Sequence, residues 1–319
     1  MNDDLMRKVL FLEEVHEVLE QRLLATGFEC LRDYSCTSEE LISKYPRLTG
    51  IVLRSRMVLS RQFLRALPTL KFIARSGSGL ENIDCLAARE LQIEVFSSPE
   101  GNRDAVGEHV IGMLLALMNR LHIANHEVKS GIWNRESNRG SELRGKTLGI
   151  IGYGHMGASL AHKIRGFDMR VLAFDKYKII EANAPVEQVS IEEVFREADI
   201  VSLHLPLSEE TTGYADEVFF RRFSKPIIFV NTARGNHVKT SALLHALNDG
   251  RVVGACLDVL EFESRTLEGP TSDSEILKAL KAHERVLLTP HVAGWTHESY
   301  FRLSDVLADK ILNTFGSTD

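Results

Sequence analysis

The first hundred positions alternate between short apolar runs and amphipathic stretches. Lys8–Leu12, Gly50–Leu53, Lys71–Ala74 and Gln92–Phe96 are apolar runs of strand length. Val15–Thr26 carries apolar residues at helical spacing and stops at Gly27, a helix C-terminal signal. Further helices are predicted over 38–44, 60–66 and 83–90. Strand and helix in alternation point to a parallel α/β domain. From Ala105 to Gly131 the pattern changes to one long helix rich in Leu, Met and Ile. It is more apolar than a surface helix needs, which suits packing between domains or against a second subunit.

A second alternating block begins at Lys146. Thr147–Ile151, Arg170–Phe174, Ile200–His204, Pro226–Val230, Val253–Leu257 and Arg285–Leu288 read as strands, with a helix over Met156–Gly166 and helical segments between most of the others. This is the cadence of a doubly wound nucleotide-binding sheet. No fixed-period repeat or low-complexity segment interrupts it.

Composition changes this picture little. At 319 residues two domains are expected, and 44% hydrophobic residues supply their cores. A net charge of -6 argues against nonspecific nucleic-acid binding, which needs a basic face. Cys30, Cys36, Cys85 and Cys256 form no CxxC pair and no Cys/His cluster with zinc spacing, so reduced thiols and no metal are expected. The acidic start Met1-Asn2-Asp3-Asp4 does not resemble a signal peptide, and no stretch approaches the roughly 18 apolar residues of a membrane span. A cytoplasmic protein without membrane partners is the expectation.

The strongest motif follows Ile151. Gly152-Tyr153-Gly154-His155-Met156-Gly157 matches GxGxxG, lies between a strand and a helix, and is followed eighteen residues later by Asp175 at the end of the next strand. Gly152 allows the tight turn, Gly154 allows backbone to approach a pyrophosphate, and Gly157 allows close helix packing. The helix N-terminus would offer N–H groups to the anion. Asp175 would accept the adenosine ribose hydroxyls and repel a 2′-phosphate, favouring NAD; Lys176 and Lys178 nearby keep NADP open.

Three more strand ends carry chemistry: Asn231-Thr232-Ala233-Arg234-Gly235, Leu257-Asp258 through Glu263, and Thr289-Pro290-His291. Ligands bind at the carboxyl ends of such strands. Oxidising a 2-hydroxy acid sends a hydride to nicotinamide and a proton to a base. Histidine, with an ordinary pKa of about 6.5, suits the proton, and a carboxylate partner fixes its tautomer. An arginine offers donors to a carboxylate and a developing oxyanion.

Together these segments resemble the D-isomer-specific 2-hydroxyacid dehydrogenase family over nearly the whole chain. The resemblance implies a catalytic set of Arg234, Glu263 and His291. Asp258 would meet the nicotinamide carboxamide, and His204, Pro206, Thr232, Ala233, His291 and Gly294 would line the cofactor beside the glycine turn. It also implies two Rossmann/flavodoxin-like parallel-sheet domains, a substrate domain of 1–101 and 291–319 and an inserted NAD domain of 102–290. The family often has Pro after the Glu, where this chain has Ser264, and Gly-Gly after the His, where it has Val292-Ala293-Gly294-Trp295-Thr296. These departures bear on pocket shape. Trp295 either closes over the substrate or packs on the final helix.

Arg75-Ser76-Gly77-Ser78 resembles the family's substrate-carboxylate loop, with the amides of Ser76, Gly77 and Ser78 as an anion nest. Arg54 and Ser55 after one strand, Arg75, and Arg135 after the long helix look like segments of D-3-phosphoglycerate dehydrogenases, where arginines meet a phosphate. The resemblance implies a short form without a regulatory domain, acting as a homodimer in serine biosynthesis, with Arg135 reaching the partner subunit. The alternatives are a glyoxylate, hydroxypyruvate or D-lactate type reductase, and, from another class, an NAD-sensing corepressor-like binding protein.

Overall fold

A computed structural model describes residues 7–264 and 274–316. The chain divides into two compact units, Met1–Asn102 with Trp295–Asp319, and Arg103–Gly294.

The first unit is built on β1 (Arg7–Phe11), β2 (Phe28–Arg32), β3 (Gly50–Leu53), β4 (Phe72–Arg75) and β5 (Glu94–Ser97), all parallel, in the order β2-β1-β3-β4-β5. Their side chains alternate between two buried faces, as a parallel sheet covered on both sides requires. Val9, Phe11, Val52 and Phe72 pack against Leu19 and Leu23 of α1 (Val18–Ala25) and against Leu307, Ala308 and Ile311 of α12 (His297–Phe315). Leu10, Ile51, Leu53 and Ile73 face Leu41 of α2 (Ser38–Lys44), Phe63 of α3 (Arg61–Arg65) and Ala87 of α4 (Cys85–Glu90). The sequence pattern missed β2 because it is an edge strand of mixed character in which only Phe28 is fully buried.

The second unit has seven parallel strands: β6 (Thr147–Ile151), β7 (Arg170–Phe174), β8 (Glu187–Gln188), β9 (Ile200–Leu203), β10 (Ile227–Asn231), β11 (Val252–Leu257) and β12 (Val286–Leu288). Their order is β12-β11-β10-β9-β6-β7-β8, so the winding reverses between β6 and β9. One face is covered by α5 (Pro99–Met118) and α7 (His155–Lys163), the other by α8 (Ile191–Glu197), α9 (Glu217–Arg221) and α10 (Thr240–Asn248). α11 (Glu275–Ala282) lies between β11 and β12.

The long helix expected over 105–131 is two helices. α5 starts earlier, with Pro99 at its first position, where a missing N–H costs nothing. It ends at Met118, and α6 (Leu121–Lys129) begins after Arg120, which takes a left-handed φ of 53°. The Met118 carbonyl accepts the amide of Ser141 at 3.0 Å, so the returning chain caps the break. Among the described residues no helix is long and apolar enough to cross a membrane.

Candidate active site

The glycine turn sits where the second sheet reverses, between the carboxyl ends of β6 and β9. The His204 amide donates to the Ile151 carbonyl at 2.8 Å, and Gly152 has a φ of 93°. A Cβ on Gly152 would stand 2.6 Å from the His204 carbonyl oxygen, and one on Gly157 only 2.3 Å from that of Gly152. Both glycines are therefore demanded by close backbone approach. Gly154 differs: nothing lies within 4 Å of the position its Cβ would take. It is the N-cap of α7, and no side chain caps that helix.

Asp175, past the end of β7, does more than expected. Its Oδ2 accepts the Tyr153 amide at 2.8 Å, inside the turn, and its Oδ1 accepts those of Tyr177 (3.0 Å) and Lys178 (2.9 Å). Of the two neighbouring lysines, Lys176 pairs with Glu210 and Lys178 lies over the Tyr153 ring. His204 is buried against Ser202 Oγ at 2.9 Å, and burial pushes its pKa down to about 4, so it is a neutral ring. Pro206 is exposed beyond it, its carbonyl accepting Thr211 Oγ1 at 2.7 Å. Thr232 Oγ1 is buried with no hydrogen-bond partner among the described residues, an orphaned polar atom beside Ala233 at the end of β10. An uncapped helix start, open space over Gly154 and an unsatisfied hydroxyl all fit a bound dinucleotide. Among the described residues no group of His, Cys, Asp and Glu could hold a metal ion.

The catalytic candidates all belong to this unit. Buried Asn231 shapes the turn after β10: its Oδ1 accepts the Ala233 amide at 3.0 Å and its Nδ2 donates to the Arg234 carbonyl at 2.9 Å. Arg234 Nη1 donates to the Ala233 carbonyl at 2.6 Å. A Cβ on Gly235 would meet the Leu260 carbonyl oxygen at 1.9 Å, so the loops after β10 and β11 touch through backbone. In the second loop the Leu260 amide donates to Glu263 Oε1 at 2.6 Å. Glu263 Oε2 then lies 2.9 Å from His291 Nδ1.

His291 itself sits at a φ of 54°, uncommon for a side chain with a Cβ. Asp258, 1% exposed, holds it there. The Asp258 carbonyl accepts the His291 amide at 2.8 Å; its carboxylate accepts Thr289 Oγ1 (2.6 Å) and the amides of Val292 (2.9 Å) and Ala293 (2.8 Å), just before Gly294. His109 of α5 reaches the same cluster, 3.0 Å from Thr289 Oγ1. Because a carboxylate only accepts, Glu263 calls for a proton on Nδ1 of His291. Nε2 is then the basic nitrogen, and no group among the described residues bonds to it.

The substrate-side candidates Arg54, Ser55, Arg75, Ser76, Gly77 and Ser78 belong to the first unit, where the winding reverses between β1 and β3. Glu13, after β1, accepts the amides of Arg54 (2.6 Å) and Arg56 (3.1 Å). Arg75 Nε and Asn82 Nδ2 both donate to the Arg54 carbonyl. The Arg75 guanidinium folds back over Gly77, where a Cβ would stand 1.8 Å from Nη1. The expected three-amide nest is not formed: the Ser76 amide is spent on the Leu53 carbonyl at 2.9 Å, extending the sheet ladder, and the Gly77 amide points to Ser98 Oγ at 3.4 Å. Only Ser78 keeps an uncommitted amide, its hydroxyl meeting Asn102 at 2.8 Å. Arg135 belongs to the other unit, in the exposed segment after α6. Trp295 is not on the final helix but just ahead of it, since Thr296 is the N-cap of α12. Sequence reasoning assigned no role to Glu13, Asn82, Thr289 or His109, although Glu13 and Thr289 lie at strand ends.

Comparison with known proteins agrees with this geometry. The profile of the D-isomer specific 2-hydroxyacid dehydrogenase NAD-binding domain matches residues 111–293. D-3-phosphoglycerate dehydrogenase of Archaeoglobus fulgidus is 34% identical over 308 residues, 96% of this chain and 57% of that protein, so the chain spans little more than half of that relative's length. Hydroxypyruvate reductase of Thermotoga maritima is 35% identical over 278 residues, 87% of this chain and 88% of that protein. The structure of D-lactate dehydrogenase from Aquifex aeolicus, complexed with NAD and lactic acid, superposes with a TM-score of 0.83 at 26% identity, covering 97% of this chain and 95% of that one. On that profile match and these identities, the chain belongs to the NAD-dependent D-isomer-specific 2-hydroxyacid dehydrogenase family.

Proposed function

We propose that the protein interconverts D-3-phosphoglycerate and 3-phosphohydroxypyruvate with NAD, as a cytoplasmic homodimer. The observation that carries the chemistry is the 2.9 Å contact between Glu263 Oε2 and His291 Nδ1. NAD, when bound, supplies the hydride acceptor. His291 Nε2 takes the proton of the C2 hydroxyl as that carbon is oxidised, and returns it in the reductive direction. Glu263 keeps the proton on Nδ1 and balances the imidazolium. Arg234 offers paired donors to the substrate carboxylate and the C2 oxygen. Thr232 and the α7 N-terminus are the cofactor's side of the site, Asp258 is spent on bracing the His291 loop and not on the nicotinamide carboxamide, and Asp175 selects NAD over NADP.

Arg54 supports a phosphorylated substrate. Its backbone is pinned on both sides, and no carboxylate among the described residues pairs with its guanidinium. NADH formation with D-3-phosphoglycerate, D-glycerate and D-lactate, beside NADH consumption with hydroxypyruvate and glyoxylate, tests this. The phosphorylated acid should be preferred, and Arg54→Ala should raise its KM about 30-fold, the loss of a charge-assisted contact. Equal use of D-glycerate would remove the phosphate from the proposal.

A hydroxypyruvate-reducing role is the second reading. It is favoured by the match to the Thermotoga maritima reductase over most of both chains. In that case Arg54→Ala should leave hydroxypyruvate turnover nearly unchanged. The homodimer rests on the exposed apolar side chains Leu121, Val128, Ile132 and Trp133, which cluster in sequence on α6 and just after it.

A further inference from the structure

Arg54 is constrained at every point except its charge. Glu13 Oε2 takes its amide at 2.6 Å, and Arg75 Nε (3.1 Å) and Asn82 Nδ2 (3.3 Å) take its carbonyl. Its guanidinium carbon lies 4.1 Å from the centroid of the Trp295 ring. Trp295 in turn meets Tyr300 edge-on, centroids 5.4 Å apart, and Tyr300 meets His16 in the same manner at 5.6 Å. The indole therefore has a fixed orientation although 47% of its surface is exposed. A tryptophan needed only to fill the core would not be half in solvent. The guanidinium lies over that ring and, among the described residues, pairs with no carboxylate.

We infer that Trp295 is a positioning residue for Arg54: the indole face holds the guanidinium plane in one attitude, and so sets the preference for acids carrying a second anionic group. The inference rests on the reading above that Arg54 meets the substrate. A guanidinium held over a ring face still presents its N–H donors at its edge, where a tetrahedral phosphate or a carboxylate takes two at once. It also loses less side-chain freedom on binding, since the rotamer is already selected. An unphosphorylated 2-hydroxy acid would gain nothing from it.

The test compares wild type, Arg54→Ala, Trp295→Leu, Trp295→Phe and the double variant Arg54→Ala/Trp295→Leu. Each is assayed with D-3-phosphoglycerate and with D-glycerate. Trp295→Leu should raise KM for D-3-phosphoglycerate about 3–10-fold, the size of a partly exposed cation–π contact, with kcat and the D-glycerate constants within about twofold of wild type. Trp295→Phe, which keeps a ring face, should recover most of the loss. In the Arg54→Ala background the leucine should add nothing.

An unchanged KM in Trp295→Leu, with Arg54→Ala still impaired, overturns the inference and leaves the substrate reading standing. An unaffected Arg54→Ala overturns both. A leucine effect that persists without Arg54, or that falls equally on D-glycerate, means that Trp295 meets the substrate itself or shapes the pocket generally, and also overturns it. Tryptophan emission provides a measure that needs no leucine variant, because the chain has only two tryptophans. D-3-phosphoglycerate should shift the emission of wild type and leave that of Arg54→Ala unmoved; equal shifts count against the positioning role.

Discussion

At the scale of single residues, the site depends on side chains whose protonation is set by their surroundings. His204 is the clearest, because burial alone depresses its pKa to about 4. In the unfolded chain a histidine titrates near 6.5, so between pH 6.5 and 4 the unfolded state binds more protons than the folded one. The stability that its neutral state contributes is therefore complete above pH 6.5 and is lost as the pH falls toward 4, by up to about 3 kcal/mol. Thermal melts of wild type and His204→Gln between pH 7 and 4.5 should show the steeper acid slope in wild type. Parallel curves would mean that the ring takes up its proton in the folded state as readily as in the unfolded one. His204 was legible in the sequence as part of a family segment, but its burial was not. The same division runs through the site. Gly152, Gly157, Arg234, Glu263 and His291 sit in short linear motifs at strand ends, where chemistry and position can be read together. Glu13, Asn82, Thr289 and His109 act through tertiary contacts, and even the strand-end places of Glu13 and Thr289 do not foretell their partners.

Elements explain how those residues are held. The loops after β10, β11 and β12 form one braced corner: Gly235 against Leu260, Glu263 on the Leu260 amide, and the Asp258 carboxylate on Thr289, Val292 and Ala293. Asp258→Ala would leave two amides and a hydroxyl without their buried acceptor. An unmade buried bond costs roughly 1–3 kcal/mol, so a loss of about 3 kcal/mol or more is expected. Urea unfolding should show it as a lower midpoint, and kcat should fall further than in a variant destabilised equally elsewhere, because the chain on both sides of His291 would lose its anchors while only the His291 amide keeps its carbonyl partner. A stable, fully active Asp258→Ala would refute the bracing role. Strand and helix periods were readable over nearly all central strands, since both faces of each sheet are buried and the apolar runs are continuous. The failures came where burial is weak or the chain returns from far away. β2 and β8 are edge strands, and the break at Arg120 is capped by Ser141, which helix periodicity cannot foresee.

For the whole molecule, the exposed apolar segment on and after α6 is the feature most in need of a partner. Trp133 is 79% exposed, with Leu121, Val128 and Ile132 close by in sequence. If this is the homodimer surface, Trp133→Glu should convert a dimer to a monomer in sedimentation velocity while far-ultraviolet circular dichroism stays unchanged. A dimer of undiminished strength would place the interface elsewhere.

The connectivity of the first unit has its own consequence, which concerns synthesis rather than catalysis. The sheet that ends at Ser97 is covered on one face by α12, which begins at His297, about 200 residues later. At the roughly 5–20 residues per second of translation, that is a delay of ~10–40 s. The intervening unit is continuous in sequence and has both layers of its own core before α12 leaves the ribosome. During that interval Phe11, Val52 and Phe72 lack the Leu307, Ala308 and Ile311 that bury them. The first unit is therefore the last to close: until α12 is made, α1 alone covers that apolar sheet face, and only in part.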